Sequence, residues 1–262
     1  MRLRLVSGLL AALSLCLAPA SAQAPNVRAA VLSSVVSFSP ISLKPYIWLD
    51  PSDLSTDFQD SACTVPAAVG QTVGCIKDKS GKGYNATQAT ASKRPLLSQS
   101  GSSIYLVCDG VDDALPANGP DIPQPTTRVT ALRMLSWSNQ SDVVSGYAGD
   151  TELVLNAASP GLSIYAGAFT PVNSSLAVNS DGVASELLNG ASSSLTIDKN
   201  LPVTGNSGTN HVIGNTLCSW ANSSGHYGNA RIYGVVIVGR ALNSSESASL
   251  TSYLANKQGR SL

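Results

Sequence analysis

Arg128-Val129-Thr130-Ala131-Leu132-Arg133-Met134-Leu135-Ser136-Trp137 is the stretch on which the fold turns. In a β-strand, alternate residues point to opposite faces. Val129, Ala131, Arg133, Leu135 and Trp137 share one parity, and Thr130, Leu132, Met134 and Ser136 share the other. Both sets are largely apolar, as expected of a central strand in a β-sandwich. Arg133 is the exception and needs a partner.

Working outward, the chain repeats this motif of short apolar runs broken by Gly, Pro, Asn, Asp and Ser. The spacing of these turn residues predicts an all-β, antiparallel sandwich. Strands are expected at Thr72–Lys77, Ser103–Cys108, Thr151–Asn156, Leu162–Phe169, Leu176–Val178, Ala184–Leu188, Ser194–Ile197, Thr209–Ile213 and Ala230–Val238. Asn118-Gly119-Pro120 and Ser159-Pro160-Gly161 read as turns. Asp181-Gly182 and Asn189-Gly190 read as hairpin turns, because such pairs tolerate positive φ. One helix is expected, at the C-terminus. Asn243 and Glu246 have the spacing of a capping box, Leu250, Tyr253 and Leu254 form an apolar stripe, and Gly259 can end the helix.

Composition fits this reading. Of 262 residues 43% are hydrophobic and only 12% charged, which excludes a charge-repelled disordered chain. Sixteen basic residues balance sixteen acidic ones, so there is no cationic excess for nucleic acid. Residues 1–22 read as an export signal. Arg2 and Arg4 precede an apolar run too short to span a bilayer, and Ala20-Ser21-Ala22 is a small-x-small cleavage site. Residues 23–44 read as a leader with a strand near Val35–Phe38, and residues 45–262 as one domain. The expected location is secreted or periplasmic, with no membrane span once the signal is cut.

Export implies an oxidising compartment, and Cys63, Cys75, Cys108 and Cys218 allow two disulfides in three connectivities. Cys63 and Cys75 bracket a short Gly/Pro-containing loop, which favours their pairing. Cys108 and Cys218 are then left either to pair or to stay as buried thiols. No C-x-x-C occurs, and the chain's two histidines are His211 and His226, so zinc is disfavoured.

Four blocks resemble bacterial and phage-associated LamG-like domains. They are Trp48-Leu49-Asp50-Pro51-Ser52-Asp53-Leu54, Asp78-Lys79-Ser80-Gly81-Lys82-Gly83-Tyr84-Asn85, Cys108-Asp109-Gly110-Val111-Asp112-Asp113, and Gly228-Asn229-Ala230-Arg231-Ile232-Tyr233-Gly234. The resemblance implies a concanavalin A-like jelly roll in a family that is mostly non-catalytic. It also implies that loops at one rim sometimes hold calcium, for which Asp109, Asp112 and Asp113 are the candidates. The residues themselves assign Trp48 to the core and Asp78 to an Asx-turn.

Catalytic patterns are sparse. Glu152, Glu186 and Glu246 are scattered rather than paired on one strand, and Glu152 and Asp150 read as surface carboxylates. Gly205-Asn206-Ser207-Gly208 reads as a turn rather than a nucleophile loop. The segment from Trp220 to Tyr227 combines two large aromatics and a histidine in a polar loop, so Trp220, His226 and Tyr227 are the candidate carbohydrate-binding residues. The expectation is an exported, non-catalytic module that binds a glycan or a surface protein. The alternatives are a structural or adhesion component, and a glycan hydrolase.

Overall fold

A computed structural model describes residues 37–155 and 160–262. The expected signal, Val35 and Val36 of the leader strand, Asn156 of the strand expected at Thr151–Asn156, and Ser159 of one expected turn lie outside the described residues.

The structure is an antiparallel β-sandwich with one C-terminal α-helix. Across the larger sheet the strands run Val203–Gly205, Ser193–Ile197, Asp181–Leu188, Thr126–Met134, Asn229–Val238, Ser103–Asp109 and Leu96–Ser100. Ile47–Leu49 adds to this sheet by pairing with Asn229–Val238. The smaller sheet runs Leu162–Tyr165, Glu152–Leu155, Ser141–Ser145, Val212–Leu217 and Leu115–Ile122. Asp57–Phe58, Cys75–Ile76 and Ala86–Thr87 form a small third sheet.

Thr126–Met134 explains its own two-faced pattern. Leu132 and Met134 belong to the main core, together with Leu153, Ile164 and Leu217 of the smaller sheet. Val129 and Ala131 belong to a second core with Leu250, Leu254 and Ala255 of the helix. The apolar set that does not meet the second sheet meets the helix. Arg133 finds its partner in Asp181, directly opposite in register, through two hydrogen bonds. On the other flank, Asn229–Val238 changes register between Ile232 and Gly234, so that the main core takes Ala230 and Ile232 before the shift but Val235 and Ile237 after it, while Tyr233, Val236 and Val238 face the helix side.

The helix Ser244–Lys257 carries the expected capping box, with Glu246 N–H donating to Asn243 Oδ1 at 2.9 Å and Asn243 N–H donating to Glu246 Oε2 at 3.0 Å. Trp48 is buried against Tyr253, edge to face at 6.2 Å. Asp78 Oδ1 accepts from Ser80 N–H and also from Trp48 N–H, both at 2.9 Å. Cys63 bonds Cys75, and Cys108 bonds Cys218. Ahead of Pro45, Leu43 is buried and Phe38 packs on the helix-side core, within the compact unit that runs from Ser37.

Three local expectations are corrected. Asn118-Gly119-Pro120 does not turn but lies within the strand Leu115–Ile122. That strand is at a sheet edge, where proline is tolerated, and its register shifts opposite Gly214, whose φ of +58° lets two backbones approach. Asp181-Gly182 opens a strand instead of closing a hairpin. The glycine there makes room for Leu176, whose Cδ1 would lie 2.7 Å from a Cβ at this position. Leu176–Val178 forms no strand, and Leu176 packs down on that glycine instead.

Candidate functional site

The expected loop lies between the last strand of the smaller sheet and the last strand of the larger one. Its backbone is unusual, with Cys218, Ala221, Ser223, His226 and Gly225 all at positive φ. Non-glycine residues adopt that conformation only when their surroundings enforce it. Here the Cys108–Cys218 disulfide anchors one end. Gly228 N–H donates to Cys218 O at 2.8 Å, and Trp220 N–H to Gly225 O at 2.9 Å, closing the loop on itself. Asp142 N–H donates to His226 O at 2.7 Å, which ties the loop to the smaller sheet.

The loop so held walls a surface cavity of about 250 Å³. Trp220 and His226 form one wall, their rings 5.6 Å apart and tilted by 33°. Tyr165 and Phe169, 4.8 Å apart, form another. Glu152 and Val154 line it from one strand, and Gln140 and Gly149 complete it. Trp220 Nε1 donates to Gly149 O at 3.3 Å, and a Cβ on Gly149 would lie 2.9 Å from the indole. Only glycine lets the indole seat there.

Strand register accounts for which side chains share this face. Glu152 pairs with Tyr165, and Val154 with Asp142, while Leu153 and Leu155 point into the core. Glu152 is therefore not the surface carboxylate expected from sequence: it is 8% exposed and lines the cavity. Asp150 is half-buried and is not part of the wall. Burial pushes the Glu152 carboxyl above the usual range, against opposing hydrogen bonding from Trp220 and the positive charge of Arg128. Asp142 is fully buried, and neither carboxylate oxygen has a hydrogen-bond partner. His226 Nδ1 lies 3.4 Å from Asp142 Oδ2, within ion-pair reach but without hydrogen-bond geometry. Burial, reinforced by the charge of Glu152, pushes the Asp142 carboxyl up to about 9.

Trp220 and His226 thus share the cavity, but Tyr227 is not on its wall. The Tyr227 hydroxyl donates to Ser223 O at 3.3 Å, and its backbone bridges to Asp142. Its role is to close the loop. Sequence reasoning missed Asp142, Gln140, Tyr165 and Phe169 as site residues. The period-two pattern of Glu152 and Val154 was the available signal for a common face.

Asp109, Asp112 and Asp113 do come together, with one carboxylate oxygen from each within 4.8 Å of the others. The turn uses its own acids. Asp109 Oδ1 accepts from Val111 N–H at 2.8 Å, and Asp113 Oδ2 accepts from Asp109 N–H at 3.0 Å. Burial, with the charges of Asp109 and Asp112, pushes Asp113 up to about 6. Ser207, in the dismissed nucleophile loop, is fully buried, with its hydroxyl 2.7 Å from that of Ser193, as a structural turn requires.

No protein-family profile and no curated protein sequence matches the chain. Solved structures do. The chain is similar to the binding domain of Paraclostridial Mosquitocidal Protein 1, with 13% identity and a TM-score of 0.55 over 82% of this chain and 53% of that one. It is similar to an arabinofuranosidase complexed with arabinofuranosyl-α-1,2-xylobiose, with 12% identity and a TM-score of 0.58 over 84% of this chain and 65% of that one. It is also similar to domain 4 of a GH43 extracellular arabinanase from Geobacillus stearothermophilus, in complex with arabinotriose, with 9% identity and a TM-score of 0.51 over 79% of this chain and 98% of that one. The chain spans about half the length of the first and about two thirds of the second. At these identities the shared property is the β-sandwich.

Proposed function

We propose that this chain is an exported, LamG-like module that binds a glycan in the cavity walled by Trp220. The observation that carries the reading is the wall itself. An indole, a phenol and a phenyl ring lie around one concave surface, with Glu152, Gln140 and His226 among them. Sugar rings present apolar C–H faces edged by hydroxyls, and aromatic faces interspersed with a few polar groups complement both. The structural neighbours support the reading in kind, since one was captured with arabinotriose and another with a xylobiose derivative. Two disulfides fit a protein that folds in an oxidising compartment. Among the described residues, no helix is long and apolar enough to cross a membrane.

The test is retention of the full chain on insoluble and soluble polysaccharides, with Trp220→Ala beside it. Binding falls at least tenfold in the variant while thermal stability changes little, because Trp220 sits at the rim rather than in the core. Equal retention by both proteins sinks the reading, and a collapse in melting temperature reassigns Trp220 to the core. A second reading, glycan hydrolysis, has one observation in its favour. The raised Glu152 carboxyl shifts in the direction a general acid requires. Release of reducing ends that disappears in Glu152→Gln carries hydrolysis; retention without release carries binding alone.

A further inference from the structure

The cavity has an unusual charge balance for a site that takes neutral sugars. Two carboxyl groups face it or stand directly behind it, Glu152 on the wall and Asp142, which holds its proton, beneath His226. Among the described residues, neither has a lysine or arginine within ion-pairing distance. Arg128 acts on both through the sandwich, but its guanidinium is held by Glu186 at 2.6 Å. The remaining titratable groups near the cavity are His226 and Tyr165 on the wall and Asp150 and Tyr227 outside it. Three aromatic side chains, Trp220, Tyr165 and Phe169, line the same space. Aromatic faces attract cations through their quadrupole, and a buried carboxylate without a counter-charge is costly until one arrives. Both features call for positive charge on the ligand.

We propose that the preferred ligand is an amino sugar whose nitrogen is a free ammonium, seated against Glu152 with its ring face on Trp220. This rests on the glycan-binding reading and narrows it to a substrate class. An N-acetylated unit of the same sugar brings no charge and leaves Glu152 without its partner. A neutral pentose or hexose unit does the same. Ammonium binding also favours the ionised form of Glu152, so the complex releases protons from this carboxyl as it forms. Affinity for the aminated ligand therefore rises with pH while the ammonium stays protonated.

The experiment titrates the full chain with three probes at mildly acidic pH: a glucosamine oligomer, the N-acetylglucosamine oligomer of the same length, and choline chloride. The aminated oligomer binds about tenfold more tightly than the acetylated one, the scale of one charge-assisted contact. Glu152→Gln brings that ratio to about one. Choline binds weakly and competes, since it supplies the cation without the sugar ring. Equal binding of the two oligomers, or a ratio that Glu152→Gln leaves unchanged, overturns the ammonium inference and leaves the glycan reading standing. The same holds if a neutral arabinan or xylan oligosaccharide binds while both glucosamine oligomers fail. If no saccharide of any class binds, the glycan reading itself falls. A melting temperature for Glu152→Gln within a few degrees of the parent shows that the ratio reports the site and not misfolding.

Discussion

Arg128 and Glu186 stand opposite one another in the larger sheet, both fully buried and joined by two hydrogen bonds at 2.9 and 2.6 Å. Asp142 and Glu152 stand on neighbouring strands of the smaller sheet, also buried, and Asp142 alone has a histidine, His226, at 3.4 Å. The first pair carries its own counter-charge and closes through Nε and Nη2 of Arg128, with only Nη1 left without a hydrogen-bond partner. The second keeps two acids near a cavity: Asp142 holds its proton up to about 9, and burial raises Glu152 in the same direction. A sandwich can afford ionised groups in its interior only when partners are built in. Where partners are missing beside a concave aromatic surface, the arrangement points outward, to a ligand.

The largest effect should come from breaking the closed pair. Arg128→Met alone strands the Glu186 carboxylate in the core and costs about 3–5 kcal/mol in urea unfolding. Replacing both, as Arg128→Met with Glu186→Leu, recovers most of that loss. A single variant that unfolds like the parent would show that the pair is not sealed from water.

The open pair should respond to pH with the opposite lesson. The folded state holds the Asp142 proton up to about 9, against 3.8 for an ordinary aspartate. Folded chains therefore bind more protons than unfolded ones across that window, and stability falls as pH rises through it. Asp57 acts in the same sense up to about 8, mainly through burial. Asp50 opposes them. Despite its burial, the Ser52 hydrogen bond and the Lys257 and Lys79 charges lower it, so its contribution is lost as pH falls below the ordinary carboxylate range. Asp142→Asn should raise stability at pH 8 by about 1–3 kcal/mol and by much less at pH 5. A destabilised variant with an unchanged pH slope would mean that Asp142 is ionised and paired.

The smallest effect on stability should sharpen the boundary between fold and site. Gly149 has a φ of +78° and supports the Trp220 indole. Gly149→Ala should cost only about 1 kcal/mol, yet it displaces the indole and weakens ligand retention severalfold. Undiminished binding would place the ligand elsewhere.

The closed region was far more legible in sequence than the open one, for a physical reason. Strand parity through Met134, the Asn243 cap and a hairpin connection at Asn189-Gly190 are local patterns that settle into place. The strand nevertheless stops before Leu135, Trp137 packs on the main core rather than beside Val129 and Ala131, and only Gly190 of its pair takes a positive φ. Asn118-Gly119-Pro120 misleads because an edge strand tolerates residues that a central strand rejects. Gly182 misleads because its glycine answers a packing demand from Leu176 rather than a turn. The site draws on residues 140 to 226, brought together by register and by one loop. Trp220 and His226 stood out through local composition. Nothing near Glu152 or Asp142 in the chain announces that loop packing will bury them beside the indole.

The most direct measurement follows the three indole N–H resonances of Trp48, Trp137 and Trp220 during titration with a saccharide that the chain retains. Trp48 is buried against the helix, and Trp137 packs at the margin of the main core. The account predicts that the Trp220 indole shifts saturably while the Trp48 and Trp137 signals hold still. A saturating shift at Trp137 or Trp48 with Trp220 unmoved would contradict it.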